Sequence, residues 1–272
     1  MKRVPKGTSP RSLDSFKRAS PRSTWDQMRS DALWGGKNAY AECRATSLSN
    51  QGGLCAYCEV DIRDSHPLKC RVEHFHPKAD VSDDINWALE WANMLAVCAG
   101  GSRPELPEGV HYRQSIAENL SCDAHKDRMI TTGKLAKTCE GLILNPLQIP
   151  AYPNLVAVSW TTGKLVANTQ ACDALDPWPG NQCGSLAELV NETIAVFNLN
   201  CDRLTSHRKL LVFDIERNKR KMRQDGLTAD DAFATLARKY FAGRRWPAFF
   251  STIRHCLGSA ADAYLREAGY DG

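Results

Sequence analysis

Residues 71–78 read Arg-Val-Glu-His-Phe-His-Pro-Lys, and this stretch lies inside a spaced set of cysteines. A Cys-x-x-Cys pair, Cys55 and Cys58, comes before it, and Cys98 and Cys122 come after it. We predict that the stretch forms a strand and that the last cysteine begins a helix. The stretch supplies carboxylate and imidazole side chains, and cysteines lie before and after it in the sequence. This pattern predicts a small α+β unit that metal ions hold together.

The four cysteines predict a structural zinc site. Cys55 and Cys58 have the spacing of two thiolates that chelate zinc from a tight turn. Cys98 and Cys122 supply the second pair although residues 99–121 separate them, because metal ligands must meet in space and not in sequence. A closed four-thiolate site has no open position for a substrate, so this zinc would stabilise the fold. The alternative is four ordinary buried thiols, since free cysteine is among the most buried residue types.

His74 is the predicted general base of a hydrolytic site. Hydrolysis of a phosphodiester requires an activated water and a cation that neutralises charge on the phosphate. An unperturbed imidazole titrates near pH ~6.5 and accepts a proton from water at neutral pH. Glu73 on the strand and Asp123 at the helix start are expected to bind Mg²⁺ or Mn²⁺ through oxygen. Adjacent strand residues point to opposite faces, so Glu73 reaches the same site only if the strand bends.

Two further residues complete the predicted catalytic set. Asn93 is expected to bridge backbone groups and so to hold the hairpin that aims His74. Lys126, about one helical turn after Asp123, is expected to contact the scissile phosphate. Taken alone, His74 is more typical of a surface or hydrogen-bonded histidine, Asp123 of a helix N-cap and Asn93 of a turn former, so the prediction rests on their joint order. Alternative metal ligands, ranked below Asp123, are His76 and His125.

The composition is that of a globular protein. The 272 residues are 43% hydrophobic and 24% charged, with a net charge of +4. No apolar run approaches the ~20 residues that span a bilayer, and no hydrophobic signal core follows Met1, so we expect a cytoplasmic location. Eleven cysteines is an odd number, which favours reduced thiols in that compartment. Those outside the predicted zinc site, which receive no role, are Cys43, Cys70, Cys139, Cys172, Cys183, Cys201 and Cys256.

Three regions are predicted along the chain. Residues 1–22 form a basic extended arm that either touches phosphates or is a solvated tail. Residues 23–140 form the metal-binding catalytic core with its N-terminal helices, and residues 141–272 form a β-hairpin and a mainly helical region. Within these regions we predict helices at about 23–33 and 37–49, a hairpin within 155–167, helices capped by Ser185 and Thr228, and final helices at 247–257 and 259–268.

The motifs together resemble the PtuB-type HNH endonucleases of Septu and retron anti-phage systems. The segments that carry the resemblance are residues 55–59, 72–78, 91–95 and 122–126 in the core, and residues 144–147, 162–164 and 192–208 after it. The resemblance covers roughly residues 25–215. Many HNH sequences have Asn or His where this chain has Asp123, which is a departure that retains a metal-binding side chain.

This resemblance implies a ββα-metal nuclease core with the four cysteines on zinc, Glu73 and Asp123 near Mg²⁺ or Mn²⁺, and His74 as base. It implies a metal-dependent endonuclease that cuts DNA or RNA and kills or arrests infected cells. It also implies partners: a PtuA-like ABC-type ATPase and, in a retron, a reverse transcriptase and msDNA complex. We expect the arm and the C-terminal helices to dock to the ATPase, since neither has a predicted chemical task.

A rival hypothesis is a catalytically inactive, zinc-stabilised module that binds nucleic acid or serves as an adaptor, and a third is an enzyme of another class with a zinc knuckle. A binding module would need the cysteines but not His74, Glu73, Asn93 and Asp123 together. The joint presence of these four residues favours the nuclease.

Overall fold

Helices and two short antiparallel sheets make up the fold in the computed structural model, which describes residues 1–63, 70–80, 84–102, 117–243 and 245–272. The helices are α1 Arg11–Ala19, α2 Trp25–Ser30, α3 Gly36–Asn50, α4 Cys122–Thr131, α5 Thr169–Asp173, α6 Leu186–Val196, α7 Asp202–Gln224, α8 Ala229–Phe241 and α9 Phe250–Glu267. The strands are β1 Cys70–His74, β2 Met94–Cys98, β3 Val156–Val158 and β4 Leu165–Ala167. Most of the insertion predicted at 99–121, residues 103–116, lies outside the described residues.

The β1–β2 hairpin lies between two hydrophobic cores. Its strands are antiparallel, and their register pairs Cys70 with Cys98 and His74 with Met94. All of β2 is buried, because α3 packs against both strands and α4 packs against β2. Leu95 and its successors in β2 belong to the larger core, and Met94 belongs to the smaller one. A two-stranded hairpin is marginally stable alone, so these flanking layers hold it in place.

The N-terminal residues correct the predicted extended arm of residues 1–22. Helix α1 lies within this range, and its Leu13 and Phe16 are buried in the smaller core. Val4 is buried in the larger core, and its N–H donates to the Pro146 carbonyl at 2.9 Å. In the sequence, the surrounding basic and proline residues make the apolar pair Leu13 and Phe16 hard to recognise as a helix face. The pair at i and i+3 becomes a buried face only because α3 packs against α1.

Helix α2 places an indole ring against the end of β1. The Thr24 hydroxyl accepts from the Gln27 N–H, and the Gln27 side chain accepts from the Thr24 N–H, which makes a capping box at the start of α2. Trp25 follows directly and is buried. Its ring meets the His74 ring edge-on, with centroids 4.6 Å apart. The capping box therefore fixes the start of α2, and that helix start places Trp25 against His74, the predicted general base.

The C-terminal half contains the predicted hairpin and helices. Strands β3 and β4 pair antiparallel. The Ser185 and Thr228 hydroxyls accept the N–H groups of Glu188 and Asp231, so the predicted caps of α6 and α8 are confirmed. Helix α9 is interrupted at Gly258, where φ is +55°, which matches the expected pair of final helices on either side of that residue.

The α+β class is confirmed at the level of mixed helices and two small sheets. The larger core joins Tyr57, Phe197 and Phe250 from distant parts of the chain. This core crosses the predicted boundary at residues 140–141, and the division of the chain there stays a prediction. Within the described ranges, no helix combines the length and apolarity that crossing a membrane requires.

We predict that Leu13→Ala lowers the free energy of unfolding by ~2–5 kcal/mol, because the Leu13 side chain is fully buried and its removal leaves a cavity. Urea unfolding followed by circular dichroism measures the change. Arg11→Ala on the exposed side of α1 is the control, with an expected change within ~0.5 kcal/mol. Equal, near-zero effects of the two substitutions would mean that residues 1–22 are a free arm after all.

Candidate functional site

Four buried thiols meet beside the hairpin. Cys55 and Cys58 lie on the turn before β1, Cys98 ends β2 and Cys122 begins α4. The Sγ–Sγ distance is 3.8 Å from Cys55 to Cys122, and 3.7 Å from Cys98 to both Cys58 and Cys122. All four sulfur atoms lie within 4.8 Å of one another. A tetrahedral ion with Zn–S bonds of ~2.3 Å has S···S edges of ~3.8 Å, so the donor set and its spacing fit zinc.

Backbone contacts bring the end of β2 to the start of α4. The Gly100 N–H donates to Cys98 Sγ at 3.3 Å, and the Gly100 carbonyl accepts from the Ser121 N–H at 2.8 Å. Gly100 has a φ of +62°, and a Cβ there would lie 2.2 Å from the Ser121 carbonyl oxygen, so this turn requires glycine. Cys98 and Cys122 therefore meet through a direct junction between their elements, despite their separation in sequence.

The buried cluster suits a cation. Burial raises the pKa of the Cys58 and Cys122 thiols well above the usual range, because a thiolate loses its hydration there, whereas hydrogen bonds from the other three cysteines lower the pKa of Cys98. Arg203 donates to the Ser121 hydroxyl at 2.7 Å. Burial alone would lower the pKa of Arg203, but the nearby cysteines raise it. Within the described ranges, the four-cysteine group is the one cluster of three or more His, Cys, Asp or Glu side chains at metal-ligand spacing.

Glu73 and Asp123 form an acidic pair next to this cluster. Burial and then the charge of Asp123 raise the pKa of Glu73 well above its usual range, so the two carboxylates lie close together. Asp123 Oδ1 is buried and has no hydrogen-bond partner among the described residues. An orphaned carboxylate oxygen beside a second carboxylate fits a hard divalent ion. Mg²⁺ in particular binds to one or two carboxylates and takes its other ligands from water and substrate.

Lys126 faces the acidic pair from α4. Its Nζ donates to Glu73 Oε1, and it lies 3.4 Å from the His74 carbonyl oxygen. Burial alone would lower the pKa of Lys126, but the charge of Glu73 raises it. The ammonium is buried and screens the carboxylates from each other. Its predicted contact with a scissile phosphate stays a prediction.

His74 is oriented by a backbone carbonyl. Its Nε2 lies 3.1 Å from the Ala88 oxygen. Because a carbonyl only accepts, Nε2 carries the proton and Nδ1 keeps its lone pair. Burial is the main cause that lowers the pKa of His74 to about 4, and the charges of Lys78 and Lys126 lower it further, whereas Asp123 raises it. The imidazole is therefore neutral at pH 7, and burial makes it a weaker base than an ordinary histidine.

Glu73 and His74 leave β1 on opposite sides. Glu73 contacts Lys126 on α4, and His74 contacts Trp25 on α2. The strand register is continuous through His74, so β1 lacks the bend that the sequence prediction required. Regular alternation along a strand explains this arrangement. The charge of Asp123 still changes the pKa of both residues, so both lie within electrostatic range of one carboxylate.

Asn93 connects the end of β1 to the segment that carries Ala88. Its Oδ1 accepts from the His76 N–H at 2.7 Å, and its Nδ2 donates to the carbonyls of His76 and Trp87 at 3.0 Å each. The Asn93 side chain is buried, so these bonds are shielded from water. They hold the Ala88 carbonyl and the His74 ring on adjoining segments, which is the geometry that a role in aiming His74 would require.

The two alternative ligands are engaged elsewhere. His76 lies between two carboxylates, with Nδ1 2.6 Å from Glu140 and Nε2 2.8 Å from Asp80. Burial alone would lower the pKa of His76, but these contacts raise it, so no ring nitrogen of His76 is left for a metal. His125 Nδ1 lies 2.7 Å from the Val196 carbonyl on α6, a contact that leaves its Nε2 without a bond to the described residues. Asp123 stays the first candidate for an ion beside Glu73, because its charge acts directly on the Glu73 carboxyl.

Sequence reasoning missed several residues around His74. The supporting contacts of Trp25 and the Ala88 carbonyl carry no motif, so no sequence signal could have found them. Asp127 could have been found, because it lies one turn after Asp123 on α4. Burial and the charge of Asp123 raise the pKa of Asp127. Lys78 could also have been found, because it ends the 71–78 stretch. Its charge lowers the pKa of both His74 and Asp127.

Comparison with known proteins gives one informative match. The chain is 35% identical over 233 residues to an Escherichia coli protein assigned as the HNH endonuclease of retron Ec83. The aligned region covers 82% of this chain and 85% of that protein. No family model matches the sequence. Because the aligned region covers 82% of the chain, it must include the β1–β2 hairpin, the cysteine cluster and most of the C-terminal helices wherever it begins.

We predict that Cys58→Ser removes the metal from the four-thiolate cluster and lowers stability with it, because metal binding at such a site is coupled to folding. Elemental analysis of the parent protein should find about one zinc per chain. Cys43→Ser, at a buried thiol outside the cluster, is the matched control and should keep its zinc. A folded Cys58→Ser protein with an unchanged melting temperature and no zinc would contradict the assignment.

Proposed function

This chain belongs to the HNH endonucleases of the retron-associated type, and on that premise we propose that it hydrolyses phosphodiester bonds with His74 as the general base. The observation that carries the proposal is the state of the His74 ring. Its Nε2–H donates to the Ala88 carbonyl, so in the neutral ring Nδ1 is the nitrogen that would accept a proton from water. The substrate class is DNA or RNA.

We propose Glu73 and Asp123 as the residues that would hold a catalytic Mg²⁺ or Mn²⁺ ion, with Asp127 as a further carboxylate on the same helix. Such an ion, when bound, supplies positive charge that stabilises the phosphate as negative charge develops on it. The proximity of Asp123 to the buried Glu73 carboxyl and the orphaned Asp123 oxygen support this assignment. Lys126 donates to Glu73 Oε1 and partly offsets the rise in the pKa of that carboxyl, and Asn93 holds the segment that orients His74.

A module that only binds nucleic acid would need none of these features. Burying the Glu73 carboxyl and the His74 imidazole costs free energy, and nothing in a zinc-stabilised scaffold requires it. The presence of Glu73, His74 and Asp123 around the hairpin that carries the four-thiolate cluster supports the nuclease over the inactive adaptor.

The finer family assignment is also a proposal: a PtuB-type nuclease of a Septu or retron anti-phage system, with zinc as the structural ion. It would act with a PtuA-like ABC-type ATPase and, in a retron, with a reverse transcriptase and msDNA complex. Residues 1–22 fold into the two cores and so make a poor docking arm. The C-terminal helices are the better candidates for the ATPase contact.

We predict that His74→Gln lowers the cleavage rate by ~10²–10⁴, the usual contribution of a placed general base. Glutamine is preferable to alanine because its amide fills space beside Trp25 and still donates to the Ala88 carbonyl. Plasmid DNA, single-stranded DNA and total RNA are incubated in Mg²⁺ or Mn²⁺, with and without the ATPase. The control His207→Gln, on α7, should cut normally. Undiminished cleavage by folded, zinc-loaded His74→Gln would rule out the mechanism.

Lys78→Gln is predicted to weaken substrate binding, because the exposed Lys78 ammonium lies within electrostatic range of His74 and suits a contact with phosphate. The slope of log KM against log salt concentration should fall by about 1, while the melting temperature stays constant. Lys137→Gln, at another exposed position, should leave the slope unchanged. Identical slopes for the two variants would show that Lys78 makes no phosphate contact.

A further inference from the structure

An open groove of about 560 Å³ runs beside α7, on a surface outside the hairpin and α4. Trp160 and Thr161 from the β3–β4 turn line one side of it. Lys209, Phe213 and Arg220 from α7 line the other. With a rise of 1.5 Å per residue, the α7 side extends for ~16 Å from Lys209 to Arg220.

Two aromatic rings in the groove are exposed to solvent. Phe213 is 62% exposed and Trp160 is 45% exposed. Trp160 is supported from its protein side, where Lys219 Nζ lies 5.1 Å from the ring centroid. Exposing large apolar rings to water is unfavourable, and rings that border a groove in this way are typical of a binding surface.

The groove is also positively charged. Among the described residues, neither Lys209 nor Arg220 has an ion-pair partner. The one carboxylate that lines the groove, Glu216, is held by Lys219 at 2.8 Å. A second acidic residue on α7, Asp214, is held by Arg217 at 2.9 Å. The cations that line the groove are therefore free to bind an anionic ligand.

We propose that this groove binds single-stranded nucleic acid, as a site separate from the nuclease centre. Aromatic rings stack on unpaired bases, and unpaired lysine and arginine side chains contact the phosphates between them. A duplex would not suit the rings, because its bases are already stacked and paired. Aromatic rings and arginine also occur at protein interfaces, but an anionic strand is the occupant that would contact both Lys209 and Arg220 as well as the rings.

The groove would provide a second binding site for single-stranded nucleic acid, in addition to the nuclease centre. The first turn of α7 contacts the cysteine cluster region through Arg203 and Ser121, so the helix leads from there to the groove. A strand seated on Trp160 and Phe213 would therefore tether the enzyme to its substrate or to a nucleic-acid component of its complex. This inference does not depend on His74 and holds whether or not the nuclease proposal is correct.

The test measures binding of a fluorescein-labelled 20-nucleotide single strand, as DNA and as RNA, by anisotropy. The full-length chain carries His74→Gln in every sample, so cleavage does not interfere. Phe213→Leu keeps apolar bulk but removes the ring, and should weaken binding by about 5- to 150-fold, the range for one stacked base. Arg220→Gln should lower the salt slope by about 1. Lys239→Gln, exposed on α8 and outside the groove, is the charge-matched control.

Three outcomes would overturn the proposal. The first is that Phe213→Leu and Arg220→Gln bind the strand as tightly as Lys239→Gln does. The second is that a duplex of the same sequence binds the parent protein at least as tightly as the single strand. The third is that no strand binds, while the groove variants lose association with the co-expressed ATPase, which would make the groove a protein interface. Circular dichroism of each variant confirms that it is folded.

Discussion

The structure depends on the meeting of four buried cysteine side chains that come from three segments of the chain. Four thiolates could share this buried space only with a cation between them, because burial disfavours the charged form, as the raised pKa values of Cys58 and Cys122 indicate. A tetrahedral zinc ion fits the observed sulfur spacing and would join the turn before β1, the end of β2 and the start of α4. These are the elements whose relative positions the nuclease site needs.

The acidic pair follows from that junction. Because Asp123 is the residue after Cys122, any ion that fixes the cysteine also fixes the carboxylate relative to Glu73 on β1. The pair would repel without Lys126, whose ammonium occupies the space beside Glu73. On the opposite side of β1, α2 and the Asn93 hydrogen bonds hold His74 neutral and oriented. In the proposed site, the four-cysteine cluster would position the acidic half and the N-terminal helices the half that contains His74.

The sequence predicts those parts of the site that require particular residue types. A four-thiolate cluster needs cysteines at recognisable spacing, and the caps at Ser185 and Thr228 need hydroxyls at fixed positions, so both can be identified from the sequence. The contacts around His74 are different. The Ala88 carbonyl is supplied by the backbone, and Trp25 acts by filling space, so neither constrains the sequence in a recognisable way. The composition of residues 1–22 indicates an extended arm and not a helix, because α1 gains its stability from packing against α3 and not from its own composition.

Manganese binding to the zinc-loaded protein tests the central claim most directly, namely that the cluster presents Glu73 and Asp123 as one metal site. Electron paramagnetic resonance counts free Mn²⁺ in a titration, and elemental analysis of the same samples reports the zinc. The account predicts about one Mn²⁺ site per chain, lost in Asp123→Asn with zinc retained, and kept in His74→Gln. Unchanged Mn²⁺ binding by a folded, zinc-loaded Asp123→Asn protein would contradict it.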